Sequence, residues 1–137
     1  MILKLNCSRP TTLMQKFKKI VFLYLPPILW SGFIFYLSAQ PDLKVSEGIW
    51  DLILRKIGHI LEYFILVILA SRAAAGSILK IDKKSIILGI LFSFLFAISD
   101  EYHQTFIHGR QGAPGDVGID GLGMIFAAFY LLHLKNK

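Results

Sequence analysis

Four apolar stretches, at roughly Ile20–Ala39, Ile53–Ala75, Ser85–Phe106 and Val117–Leu134, dominate this chain. Each is near the length that carries an α-helix across about 30 Å of hydrocarbon. A helix satisfies its backbone polar groups internally, as lipid requires, so the chain reads as an all-α integral membrane protein, a four-helix bundle. Bulk properties agree: 55% of the 137 residues are hydrophobic and the mean hydropathy is +0.59, too apolar for an ordinary water-soluble domain. The lone cysteine, Cys7, rules out a disulfide framework within the chain, and no apolar signal core precedes it to make it a lipid-attachment site. A net charge of +6 raises the question of nucleic acid, but the basic residues flank apolar spans instead of forming a stripe interleaved with aromatics.

The first stretch reads as a retained span and not a cleaved leader. Leu37 is too large for the outer small-residue position before Ala39, and the run exceeds a typical signal core. Pro26 and Pro27 are expected to kink this helix, leaving carbonyls that a neighbouring helix or water has to satisfy. The division that follows is a basic tail over residues 1–19, a four-helix domain over 20–134 and a short tail over 135–137. No internal repeat is visible, which argues against a transporter built from inverted repeats.

Charge placement orients the bundle. With the N-terminus in the cytoplasm, the inner side holds Lys4, Arg9, Lys16, Lys18, Lys19, Arg72, Lys80, Lys83, Lys84, Lys135 and Lys137, and the outer side only Lys44, Arg55, Lys56 and Arg110. Of the nine acids only Asp82 falls inside. Both termini are therefore expected in the cytoplasm of a bacterial cell, with the chain crossing the inner membrane several times. Trp50 is placed at the interface, and Gly109–Gly115 forms a compact reversal with Asp116 as the N-cap of the last helix.

Three spans carry ionisable groups, which are costly in hydrocarbon and by default functional. Counting helix rise at about 1.5 Å per residue from the inner boundaries puts Glu62, Asp100 and Asp120 at ~21 to ~24 Å, and Lys56, Gln104 and Asp116 at ~28 to ~30 Å. The groups form one outer layer. Lys56, His59 and either Glu62 or Tyr63 share a helix face, while Asp100 with Gln104 and Asp116 with Asp120 are i, i+4 pairs. Glu101 lies about 100° around its helix from Asp100 and is expected to point elsewhere.

Carboxylates outnumber cations here, so a bound divalent metal, protonated carboxyls or a cationic ligand is expected to offset the excess. His59, Glu62, Asp100, Asp116 and Asp120 are ligand types a metal accepts, but the reversed His-x-x-Glu spacing lacks the pattern of helix-bundle di-metal sites. Acid–base work by His59 and Glu62, with Lys56 and Arg110 holding a phosphate or carboxylate, is a second reading. A third is structural, with polar pairs fixing the bundle. Ser38 and Ser99 read as cap or packing hydroxyls, Gly121 and Gly123 as close-packing positions, His103 and His108 as rim residues, and Phe92–Phe96 as packing or lipid-facing surface.

The run Lys56-Ile57-Gly58-His59-Ile60-Leu61-Glu62-Tyr63, then Asp100-Glu101-Tyr102-His103-Gln104-Thr105-Phe106, Arg110 and Asp116-Val117-Gly118-Ile119-Asp120-Gly121-Leu122-Gly123, resembles the VanZ-like family. Ser38-Ala39-Gln40-Pro41 also resembles that family's pattern, and the resemblance spans roughly Trp30 to Leu132. It implies a four-helix bacterial membrane protein of a family named for a glycopeptide-resistance protein associated with teicoplanin resistance. Two positions depart from the pattern: Asp120 stands where members often carry asparagine, and Ala127 where they carry a second glycine.

The resulting expectation is an outward-facing polar pocket. His59, Glu62 and Asp100 are its chemical centre, and Lys56, Tyr63, Glu101, Gln104, Arg110, Asp116 and Asp120 bind around them. Its ligand is a cell-envelope component, such as a lipid-linked cell-wall intermediate or a glycopeptide-related molecule. A proton-coupled carrier and a non-catalytic interaction protein are the other classes the residues allow, the carrier lacking a through-path because the inner halves of the helices hold no ionisable relay.

Overall fold

The computed structural model describes residues 13–41, 48–77, 80–108 and 114–135. They form four helices in up-and-down order: α1 (Leu13–Ser38), α2 (Ile49–Ala75), α3 (Lys83–Gln104) and α4 (Pro114–Lys135). Helices α1, α3 and α4 are long and apolar enough to cross a membrane. Helix α2 carries Asp51, Arg55, Lys56, Glu62 and Arg72, and its 27 residues give it a length of ~40 Å.

Helices α2 and α3 each pack against all of the others, α2 the more extensively, whereas α1 and α4 do not touch. The core follows from this arrangement: Tyr63, Leu66 and Val67 of α2 meet Ile34 of α1, Ile86 and Ala97 of α3, and Met124, Ala127 and Leu131 of α4. Large apolar side chains on the outward faces, among them Ile28, Leu61, Leu95, Phe126 and Phe129, remain exposed. On an apolar four-helix bundle that pattern is the surface lipid covers. Phe92 and Phe94 belong to it, while Phe96 turns partly inward against Tyr63.

Local chemistry sets the helix ends. Asp82 caps α3, its carboxylate accepting from the Ser85 backbone N–H at 2.8 Å and from the Ser85 hydroxyl. Gly76 ends α2 in the left-handed region at φ 62°, its N–H bonded to the Ala73 carbonyl. Helix α4 opens on Pro114, so Asp116, expected as its cap, sits inside the first turn and its carboxylate is available to another helix. Helix α1 starts at Leu13, which places Lys16, Lys18 and Lys19 on its first turns.

The proline pair has a specific answer. Pro26 has no N–H, so the Phe22 carbonyl loses its helical partner. Arg72 of α2 replaces it, donating Nη2 to that oxygen at 2.5 Å with its guanidinium 4.5 Å from the Phe22 ring centre. A side chain 50 residues away thus restores one of the two carbonyl bonds that the prolines remove from α1.

Two glycines let α2 approach its neighbours closely. A Cβ on Gly123 would overlap the backbone carbonyl of Ile60, and one on Gly89 would overlap Ser71. Gly121, which shared the close-packing expectation with Gly123, has open space around it instead. Gly123→Ala is therefore expected to lower stability by about 1 to 3 kcal/mol, the usual cost of overpacking, and Gly121→Ala to raise it slightly through helix propensity. Thermal unfolding in detergent reads the difference, and equal melting temperatures for the two variants would contradict the assigned contact.

The Asp82 cap predicts a pH response at the start of α3. Hydrogen bonds from Ser85 hold the Asp82 carboxyl below its ordinary range. A depressed carboxyl stabilises the fold above its unfolded value and ceases to as pH falls through the lowered one. The first turn of α3 is expected to exchange amide hydrogens faster in acid, beyond the intrinsic rate change, and Asp82→Asn to blunt that dependence.

Candidate functional site

The antiparallel order brings the C-terminal ends of α1 and α3 to the N-terminal ends of α2 and α4. Side chains from all four helices meet there in three contacts. Ser38 Oγ donates to Asp100 Oδ1 at 2.5 Å, joining α1 to α3. His59 Nδ1 lies 2.9 Å from Asp120 Oδ1, joining α2 to α4. Lys56 Nζ stands 3.7 Å from Asp116 Oδ1 across the same pair of helices, and both side chains are partly exposed.

Burial divides the layer into a rim and a floor. Lys56, His59, Glu62 and Asp116 are partly buried, whereas Tyr63, Asp100, Glu101, Gln104 and Asp120 are buried. At the floor, Gln104 Nε2 donates to Asp100 Oδ2 and to Glu101 Oε1, 3.2 Å each, so one amide bridges two adjacent carboxylates. This corrects the expectation for Glu101. The 100° rotation that separates it from Asp100 is spanned because Gln104 sits three residues from one acid and four from the other, and its two N–H groups diverge.

The shared face of Lys56, His59 and Glu62 or Tyr63 also resolves. Tyr63 turns into the core with 0% exposure, near Phe96, and Glu62 stays nearer the rim. The Glu62 backbone carbonyl accepts a hydrogen bond from Trp30 Nε1 at 2.9 Å, which pins α1 to α2 beside the layer. His103, assigned to the rim, stacks on Phe35 with ring centres 4.1 Å apart; His108 is exposed. Arg110 lies outside the described residues.

Two participants had no functional signal in the sequence. Ser38 looked like a capping hydroxyl, and it does bond the Phe35 carbonyl at 3.1 Å, but it also holds Asp100. The i−3 serine bond is visible from spacing alone, whereas the bond to α3 exists only once α1 and α3 pack. Asp51 is buried and paired with Arg55 at 2.9 Å in an i, i+4 contact at the start of α2.

Chemically the layer offers an imidazole on a buried carboxylate, a partly exposed ammonium and a carboxylate pair under one amide. These groups can accept and donate protons and can meet a charged ligand at the rim. Among the described residues no three acidic, histidine or cysteine side chains converge to hold a metal ion. Two apolar clefts, of about 300 Å³ near Pro27, Ala73 and Leu88 and about 430 Å³ near Phe94, Gly121 and Met124, lie away from the layer and contain no charged residue.

No curated protein and no solved structure matches the chain. A family model described as VanZ/LLP1 matches residues 9–135, which takes in every helix and every residue of the polar layer. This apolar four-helix chain belongs to the VanZ/LLP1 family.

Proposed function

We propose that the chain lies in the bacterial inner membrane as a multi-pass protein with both termini in the cytoplasm, and that its polar end, facing outward, binds an anionic group of a cell-envelope molecule. The observation that carries this reading is the meeting of Ser38, His59, Asp100 and Asp120 from four different helices at one end of the bundle. Ionisable groups in such segments are retained at a cost, and here they are connected to one another and graded from rim to floor. The ligand class that fits is a lipid-linked cell-wall intermediate, whose phosphate or peptide carboxylate meets Lys56 at the rim, with Arg110 proposed as a second cation. His59, seated on Asp120, and Glu62 beside it are the proton donor and acceptor of this site. Asp100, Glu101, Gln104 and Asp116 orient them.

Family membership makes teicoplanin susceptibility a natural cellular readout of the same site. Binding is tested by extracting wild type and Lys56→Glu in mild detergent and identifying the lipids that co-purify. Phosphate-bearing cell-wall lipids are expected to be enriched on the wild type and lost from the variant. The same lipids at the same amounts on both would overturn the reading. Reporter fusions at the C-terminus, active only in the cytoplasm or only outside it, test the orientation independently.

A further inference from the structure

Asp100 is 1% exposed, and its carboxylate is held by Ser38 and Gln104, both uncharged donors. A carboxylate withdrawn from water is costly unless opposite charge as well as hydrogen bonding offsets it. The cations paired in this layer are engaged with other acids: His59 with Asp120, Lys56 with Asp116, Arg55 with Asp51. Beside Asp100 stands Tyr63, 0% exposed, whose hydroxyl has no hydrogen-bond partner although a buried phenol ordinarily finds one. Side chains lean toward the N-terminus of their own helix, and the N-terminal end of α2 is the polar end, so this hydroxyl is directed into the layer. Tyr63 sits in one core cluster with Ala97 of α3 and Met124 of α4, which lie one turn from Asp100 and Asp120 on their own helices, and His59, one turn from Tyr63 on α2, touches Asp120. An orphaned hydroxyl and two fully buried acids, one from each of three helices, therefore share one neighbourhood.

We propose that Tyr63, Asp100 and Asp120 form a binding site for one small monovalent cation, with the Tyr63 hydroxyl as its neutral oxygen ligand. The available donors are oxygens, which suit a hard cation. A single positive charge fits better than two, because the proposed site holds two carboxylates and one of them is already paired. His59 already meets part of the charge on Asp120. The inference concerns the floor of the layer and does not depend on what binds at Lys56.

Thermal unfolding of the full chain in detergent tests it, with sodium, potassium, ethanolammonium and choline chlorides titrated at matched ionic strength. Ligand that binds only the folded state raises the melting temperature in a saturable way. At least one of the three small cations is expected to raise it by several degrees over choline. The half-saturating concentration should increase tenfold or more in Tyr63→Phe, and the effect should vanish in Asp100→Asn. In choline, Tyr63→Phe should melt no lower than the wild type, since the hydroxyl it removes has no protein partner, and this separates lost binding from a damaged fold. A response to sodium or potassium alone assigns an inorganic ion, and one to ethanolammonium alone assigns an ammonium group. Identical melting in all four salts, or a cation response unchanged in Tyr63→Phe, overturns the proposal.

Discussion

Asp100→Ala is expected to abolish ligand capture, by a hundredfold or more, while leaving most of the protein folded and inserted. The separation of the two effects comes from the hydrogen bonds around the carboxylate. Ser38 keeps its bond to the Phe35 carbonyl, and Gln104 keeps Glu101, so neither donor is stranded when Asp100 is removed. An unsatisfied buried donor would cost about 1 to 3 kcal/mol, and here that cost is avoided twice. What disappears is the link between α1 and α3 and the buried charge at the floor of the layer. Lipid co-purification reads the function, and size-exclusion behaviour with the melting temperature reads the fold. Full capture by Asp100→Ala would remove Asp100 from the site, and an aggregated variant would show that its role is structural.

The reverse balance is expected at His59. His59→Ala leaves Asp120, 1% exposed, without its hydrogen-bonded partner, and stranding one member of a buried pair costs on the order of 3 kcal/mol. Asp120→Asn should cost far less, because the amide oxygen still accepts from His59 Nδ1 and no charge is left behind. The double variant His59→Ala/Asp120→Asn should recover much of the stability that His59→Ala loses. Melting temperatures of the three variants close a cycle, and additive losses would show that the pair is not coupled.

The helices and the gathering of the polar groups at one end of the bundle were legible because span length and helix rise act along the chain. The face of α2 was legible only in part: spacing places Glu62 and Tyr63 on neighbouring stripes, and the choice between core and rim is made by Phe96 on another helix. Glu101 was misjudged because a rotation about a helix axis says where a Cβ points, not how a glutamine amide one turn away reaches two neighbouring acids. Ser38 was invisible as a partner of Asp100 for a related reason, its local bond to Phe35 being a sufficient explanation until α1 and α3 are brought together. That α2, the most charged of the four helices, packs most extensively with the others also lies beyond any single segment's pattern.

The bond from Arg72 to the Phe22 carbonyl sets an order on biogenesis. When α1 first enters the bilayer, the group that completes its backbone has not yet emerged, since it lies 50 residues further along the chain. Hydrocarbon supplies no substitute donor, and an unmet carbonyl there costs several kcal/mol. The stretch of α1 before the prolines thus has reason to wait in the wet headgroup region, where the carbonyl can bind water. Arg72 takes the place of that water when α2 packs beside it, so the first helix to be made is completed by a residue of the second.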